Sequence, residues 1–469
     1  MGRSRVGPGS VRGGSPRAAP SATLSPVSAE DPEAPQADVP GDVFEPRSSG
    51  LRARLRESLT DPAQVLAIVM IAALVARAIW LAVPLNGLIF DEAYYVNAAR
   101  ILLGIQLPEA AHYAGSPLGL DPNQEHPPLG KLLIALSMLA FGDNGLGWRL
   151  PSVVAGMIAL GAVYLIVRAA GESRWLGVLA VGLLAFENLT LVHSRIGTLD
   201  MMVLAPILLG AWLGLRHRWL AAGALMGFGT LFKLTGLYGL AALLLWLALE
   251  GFERWRTNRR PDLALLRPVL LVLAGYVLVF GAGLTALDAR FSSYAGRPLD
   301  HVQHMVSYGA NLSKPGLNPT CKSNDSAPWQ WLTNDCQMTY YRVDVTSKSA
   351  GKVVSSVPSI DFRGAMNPVL IGTFALGMSA AAWLAWRGGS ILARWSLVWV
   401  AANYLPYLLL VVARSRITYI YYFLPVVPAL SVAVALLLLR SGLPRFVAWG
   451  YLAAFTVAAI AYYPFRQIP

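Results

Sequence analysis

Residues 127–142, PPLGKLLIALSMLAFG, decide how this chain threads a membrane. At about 1.5 Å per residue, their 16 positions reach about 24 Å, short of a hydrocarbon core of about 30 Å. They also carry Lys131. The run therefore reads as a helix at the interface, not as a span. Around it lie eleven further apolar stretches that are candidate spans, some of them short: 63–84, 148–168, 175–191, 199–215, 219–234, 236–251, 267–287, 366–386, 395–413, 417–439 and 446–463. With a cytoplasmic N-terminus, eleven spans put Arg168, Arg174, Arg216, Arg218, Arg254, Arg256, Arg259, Arg260, Arg267, Arg387, Arg394, Arg440 and Arg445 on the inner side, as the positive-inside rule requires. Counting 127–142 as a span would flip everything after it and place ERWRTNRR, residues 253–260, outside.

Composition supports the same class. Of 469 residues, 55% are hydrophobic and 14% charged, against about 25% charged in soluble domains. That excludes a cytosolic enzyme, a nucleic-acid module and a disordered scaffold. The net charge of +12 is read as arginine flanking spans, with no nucleic-acid partner. The expected fold class is an all-α integral membrane protein. Residues 1–62, rich in Pro, Gly, Ser and Ala, read as a disordered cytoplasmic tail. The segment 63–287 forms an N-terminal membrane module that includes an outer loop at 85–147. Residues 288–365 form an exocytoplasmic loop, and 366–469 a C-terminal membrane module. Cys321 and Cys336 share the second outer loop, where an oxidising compartment favours a bridge.

Ionisable residues gather at the outer ends of the spans. Asp91 and Glu92 directly follow the first span and open an amphipathic stretch. Taken alone, Asp91 is better read as a helix-capping acid than as a site residue. Glu125, His126 and Lys131 flank the proline pair, and Arg149 stands at the mouth of the second span. Glu187, His193, Arg195 and Asp200 occupy one outer turn, where Arg195 reads either as a site residue or as a clamp on one of the acids. Lys233, Arg414 and Arg416 add positive charge, and Arg77 lies within the first span. Tyr and Trp in 395–423 read as packing and interface belts. Carboxylates and cations on one face, without metal-ligand spacing, suit one base acting on a hydroxyl while cations hold a lipid phosphate.

The ordered set Asp91-Glu92, His126-Pro127-Pro128-Leu129-Gly130-Lys131, Trp148-Arg149, Ser194-Arg195 to Leu199-Asp200, Pro328-Trp329-Gln330-Trp331 and the run Arg416–Pro425 resembles the protein O-mannosyltransferase family, bacterial type. These enzymes use dolichyl- or polyprenyl-phosphate mannose and have the GT-C fold. The resemblance implies about eleven spans, amphipathic helices in the first outer loop, and an exocytoplasmic site in the cell membrane. It implies Asp91 and Glu92 as catalytic carboxylates, with Arg149, Arg77, Arg195 and Arg416 as candidates for the donor phosphate. Glu125, His126, Lys131, Glu187 and Asp200 would shape the site. Independently of the resemblance, Trp329 and Trp331 in the outer loop read either as rings that stack on an acceptor or, equally, as local loop core. No metal or cofactor is implied, the lipid-linked sugar being a substrate. The partners would be that donor, an exported protein and the bilayer. The transfer would invert, giving an α-linked product from a β-linked donor. The 78 residues of 288–365 leave no room for the β-trefoil domain of eukaryotic members. Tyr421-Tyr422-Phe423 lacks a His found in many relatives. A GT-C enzyme with a lipid or glycan acceptor, or a transporter, are the competing readings.

Overall fold

A computed structural model describes residues 60–85, 87–259, 262–313, 321, 324–349 and 352–469. Nearly all of the tail read as disordered lies outside them. Eleven helices fill the N-terminal part: α1 (Pro62–Ala78), α2 (Glu92–Leu102), α3 (Leu129–Phe141), α4 (Gly145–Ala169), α5 (Arg174–Ala185), α6 (Asn188–His193), α7 (Asp200–Leu215), α8 (Trp219–Thr230), α9 (Leu237–Asn258), α10 (Leu266–Phe291) and α11 (Pro298–Asn311). A single turn, α12 (Pro328–Trp331), precedes an antiparallel hairpin of β1 (Met338–Ser349) and β2 (Lys352–Gly364). The chain then continues through α13 (Pro368–Gly372), α14 (Phe374–Gly388), α15 (Ile391–Arg414), a 3-10 stretch Ile420–Val426, α16 (Val427–Arg440) and α17 (Arg445–Ala461).

Each of the eleven expected spans falls on helical structure, three of them over two elements: 175–191 on α5 and α6, 366–386 on α13 and α14, and 417–439 on the 3-10 stretch and α16. Five helical segments are long and apolar enough to cross a membrane: Gly145–Ala169, Leu234–Asn258, Leu263–Phe291, Ile391–Arg414 and Ile420–Arg440. Six more are apolar but shorter, α1, α3, α5, α7, α8 and α17. The run at 127–142 yields only the 13 residues of α3, about 20 Å of helix. It starts after Pro127-Pro128 and stops at Gly142, whose φ of 89° suits a residue without Cβ. The hairpin is the one departure from an all-helical chain among the described residues. Its outer strands are rich in Val, Thr and Ser, which fit a pleated, half-exposed surface.

Close backbone approach holds α8 to α10. A Cβ on Gly223 would meet the Val272 carbonyl oxygen at 2.0 Å, and one on Gly275 would meet that of Leu220 at 2.1 Å. Small residues at such a seam let two membrane helices pack through their backbones, where apolar burial alone gives no preference over lipid. This seam fixes the start of the loop that carries Lys233.

Candidate active site

Phe90 has φ of 55°, a left-handed conformation that is a genuine outlier for a bulky side chain. Its ring is held by Tyr340, stacked with centroids 4.2 Å apart, and by the edge of Tyr421 at 5.4 Å. The turn presents Asp91 at the head of α2, yet its side chain caps no helix amide. Among the described residues, its carboxylate has no hydrogen bond or ion pair. It opens on a cavity of about 570 Å³. Burial pushes its carboxyl up to about 7, partly countered by Lys233.

Two cations line that cavity, Lys233 and Arg416. Lys233 Nζ lies 2.9 Å from Asp200 Oδ1 and 5.4 Å from the centre of the Tyr421 ring. Arg416 donates from Nη1 to the Ile417 carbonyl at 2.9 Å and lies 6.0 Å from the Tyr422 ring centre, leaving other donors uncommitted. Asp200 also faces His193 Nδ1 at 3.6 Å, and His193 Nε2 meets the Tyr340 hydroxyl at 3.0 Å. This chain of contacts ties β1 to Lys233. Asn123, Glu125 and His126 complete the polar wall. Burial and two nearby lysines, Lys233 and Lys131, hold the His126 imidazole well below its usual range.

Glu92 and Arg149, expected as a catalytic carboxylate and a phosphate ligand, are engaged with each other. Glu92 is fully buried and accepts from Arg149 Nε at 2.8 Å, Arg149 Nη2 at 2.9 Å, and the Ile89 and Gly197 amides at 2.7 Å each. Arg149 donates its remaining protons to the carbonyls of Leu81, Val83 and Gly87. All five guanidinium N–H donors are thereby used. Arg77 and Arg195 do not line the cavity either. Arg77 is fully buried and bonds the Ala73 carbonyl in its own helix at 3.1 Å. Arg195 clamps the end of α1 through the Ala76 and Ile79 carbonyls, meets the Tyr463 hydroxyl at 2.9 Å and lies 5.0 Å from the Phe465 ring centre. Its partners are carbonyls and aromatic rings, neither of the two acids expected.

Four further candidates act at one remove or not at all. Lys131 is buried against Asp121 at 2.6 Å and against the His126 carbonyl at 2.8 Å, so it pins the segment carrying Asn123, Glu125 and His126. Glu187 caps α6 through the Leu189 and Thr190 amides and also holds Asn367. Trp331 is fully buried, bonded to Ser326 Oγ at 2.9 Å and packed on Tyr404 and Tyr407, which leaves no face for an acceptor. Trp329 is exposed and does not line the cavity. Cys321 and Cys336 are bridged.

Nine tyrosines line the cavity: 94, 95, 113, 238, 308, 407, 419, 421 and 422. That is half of the chain's 18 tyrosines, and it places Tyr407, Tyr419, Tyr421 and Tyr422, read above as packing and interface residues, on the cavity wall. Phenols offer both an apolar face and a hydroxyl able to donate or accept, which fits a sugar. The signal in the sequence was the clustering of Tyr419, Tyr421 and Tyr422 three residues after Arg416.

Residues 125–279 match the family described as dolichyl-phosphate-mannose-protein mannosyltransferase. A polyprenol-phosphate-mannose–protein mannosyltransferase of Mycolicibacterium smegmatis is 26% identical over 375 residues, covering 67% of this chain and 70% of the relative. One from Corynebacterium glutamicum is 26% identical over 423 residues, covering 74% and 76%. The solved Pmt1–Pmt2 complex of S. cerevisiae, bound to its sugar donor, superposes with a TM-score of 0.59 at 11% identity, covering 88% of this chain and 91% of that one. ArnT from Cupriavidus metallidurans, bound to undecaprenyl phosphate, gives 0.50 at 18% identity, covering 88% and 64%. The fold is that of the GT-C membrane glycosyltransferases. Within that class the chain is a relative of the protein O-mannosyltransferases.

Proposed function

We propose that this chain transfers mannose from polyprenyl-phosphate mannose to Ser or Thr hydroxyls of exported proteins, at an exocytoplasmic site, with the N-terminus in the cytoplasm. The observation that carries the reading is Asp91: an unpaired carboxylate on a tyrosine-lined cavity that also holds two cations. Asp91 takes the proton from the acceptor hydroxyl as its oxygen bonds to the anomeric carbon. The bond from that carbon to the phosphate oxygen breaks, and the sugar inverts. Polyprenyl phosphate leaves as an anion that needs no proton, so a single carboxylate is sufficient. A base whose pKa lies near the working pH combines availability with driving force, and burial gives Asp91 that property. Arg416, with uncommitted donors, and Lys233 hold the phosphate, the role expected of Arg149. Polyprenyl-phosphate-linked donors are named for the relatives above, which supports this choice of substrate.

The test is transfer of labelled mannose from polyprenyl-phosphate mannose to a Ser/Thr-rich peptide in membranes containing wild type or Asp91→Asn. Labelled peptide from wild type alone is expected. Equal labelling by both would remove Asp91 from its role, and label appearing in a lipid or glycan would move the acceptor to another class.

A further inference from the structure

The two edges of the hairpin differ. On β2, the chain's own segment 464–466 already adds as a short antiparallel strand: Ile360 bridges Phe465, the Asp361 amide donates to the Pro464 carbonyl at 2.7 Å, and the Arg466 amide donates to the Ser359 carbonyl at 2.9 Å. The same strand carries Pro358. It also carries the extra residues of two irregularities, Ser359 between the pairs Val343–Ile360 and Asp344–Pro358, and Val354 between Ser347–Ser355 and Lys348–Val353. Proline, bulges and covering chain are the devices by which proteins blunt a sheet edge.

β1 has none of these from Tyr341 to Ser347. Its one extra residue, Tyr340, comes earlier and is buried against His193 and Phe90. Among the described residues nothing pairs with the outer edge of β1. Residues 342–347 are exposed, Val343 and Val345 included. An open, regular edge of seven residues spans about 23 Å, and every second residue turns its N–H and C=O outward. The open edge begins close to the cavity that Asp91 opens on: Met338, three residues before Tyr341 on the same strand, lines it, and Tyr340 stacks on Phe90 beside Asp91.

We propose that the free edge of β1 binds an extended stretch of acceptor polypeptide by strand addition and so delivers its hydroxyl towards Asp91. This rests on the acceptor being a protein, as proposed above. Main-chain pairing supplies affinity without selecting side chains. The edge therefore suits extended segments of varied sequence, and favours them over folded surfaces.

The experiment uses full-length enzyme in membranes, polyprenyl-phosphate mannose and a ten-residue peptide with one Thr. A series of peptides carries a single N-methyl group at each successive backbone amide. Methylation at alternate positions on one side of the Thr should raise KM about tenfold with kcat unchanged, and the positions between should be neutral. A response without alternation overturns the proposal. A second arm replaces residues 344–357 by a two-residue turn. The KM of the ten-residue peptide should rise towards that of a blocked three-residue peptide, whose own kinetics stay as in wild type. An unchanged KM for the long peptide overturns strand addition while leaving the mannosyltransferase reading intact. If wild type labels neither peptide, the protein-acceptor reading fails, and strand addition with it.

Discussion

Around Glu92 every polar group is matched. Four hydrogen bonds reach its carboxylate, and the five donors of Arg149 all find oxygens. Around Asp91, one peptide bond away, the matching stops. Its carboxylate has no partner, and Arg416 keeps donors in reserve. A satisfied cluster rigidifies, and an unsatisfied one has capacity left for a ligand. The difference separates charge that builds the site from charge that works in it.

The sharpest way to test that division is Asp91→Asn. General-base loss costs about 10²- to 10⁴-fold in rate. We expect a fall in kcat of about that size with an unchanged unfolding temperature in detergent. Next comes Arg149→Met, which strands Glu92 in the interior. Breaking a buried pair costs about 3–5 kcal/mol, so the unfolding temperature should drop by several degrees and activity with it. A variant that remains as stable as wild type but has a raised donor KM would return Arg149 to the phosphate. Arg416→Ala should show the opposite pattern. Charge-assisted hydrogen bonds are worth about 1.5–3 kcal/mol, so donor KM should rise about 10- to 100-fold without loss of stability.

The pH profile tests Asp91 from another side. Its carboxyl is raised to about 7, so below that pH it holds a proton and cannot take another. Transfer should climb as pH rises through about 7 and level off above it, falling about tenfold per unit on the acid side. A profile flat from pH 5 to 8 would assign the base elsewhere. The smallest effect is expected at Trp329, where alanine should leave stability within about 0.5 kcal/mol. At Trp331 the same change removes a core ring, at about 3–5 kcal/mol.

How much of this was legible depended on the kind of signal. The apolar helices were readable because hydropathy is summed over many residues. Asp91 was named as a candidate through the family resemblance, since an acid in that place taken alone reads as a helix cap. What sequence could not separate was Asp91 from Glu92, or Arg416 from Arg149, Arg77 and Arg195. Each pair has the same chemistry, and only the count of partners in three dimensions tells them apart. The hairpin was missed because 288–365 lacks the long apolar periods that a membrane reading looks for. The tyrosines were assigned to packing because ring clusters near spans usually are, and Tyr404, bonded to the Pro328 carbonyl, does serve that purpose.

The clamp on Arg149 also bears on how the protein is made. Its oxygens come from residues 81, 83, 87 and 92, and the Glu92 carboxylate is completed only by the amide of Gly197. During synthesis the segment from Leu81 to Glu92 must therefore wait for Arg149, 57 residues beyond Glu92, and Glu92 waits for its last partner, Gly197, 105 residues beyond it. Membrane insertion factors that shelter polar groups have their natural client in that interval, and nascent chains arrested before Gly197 are the species on which to look for them.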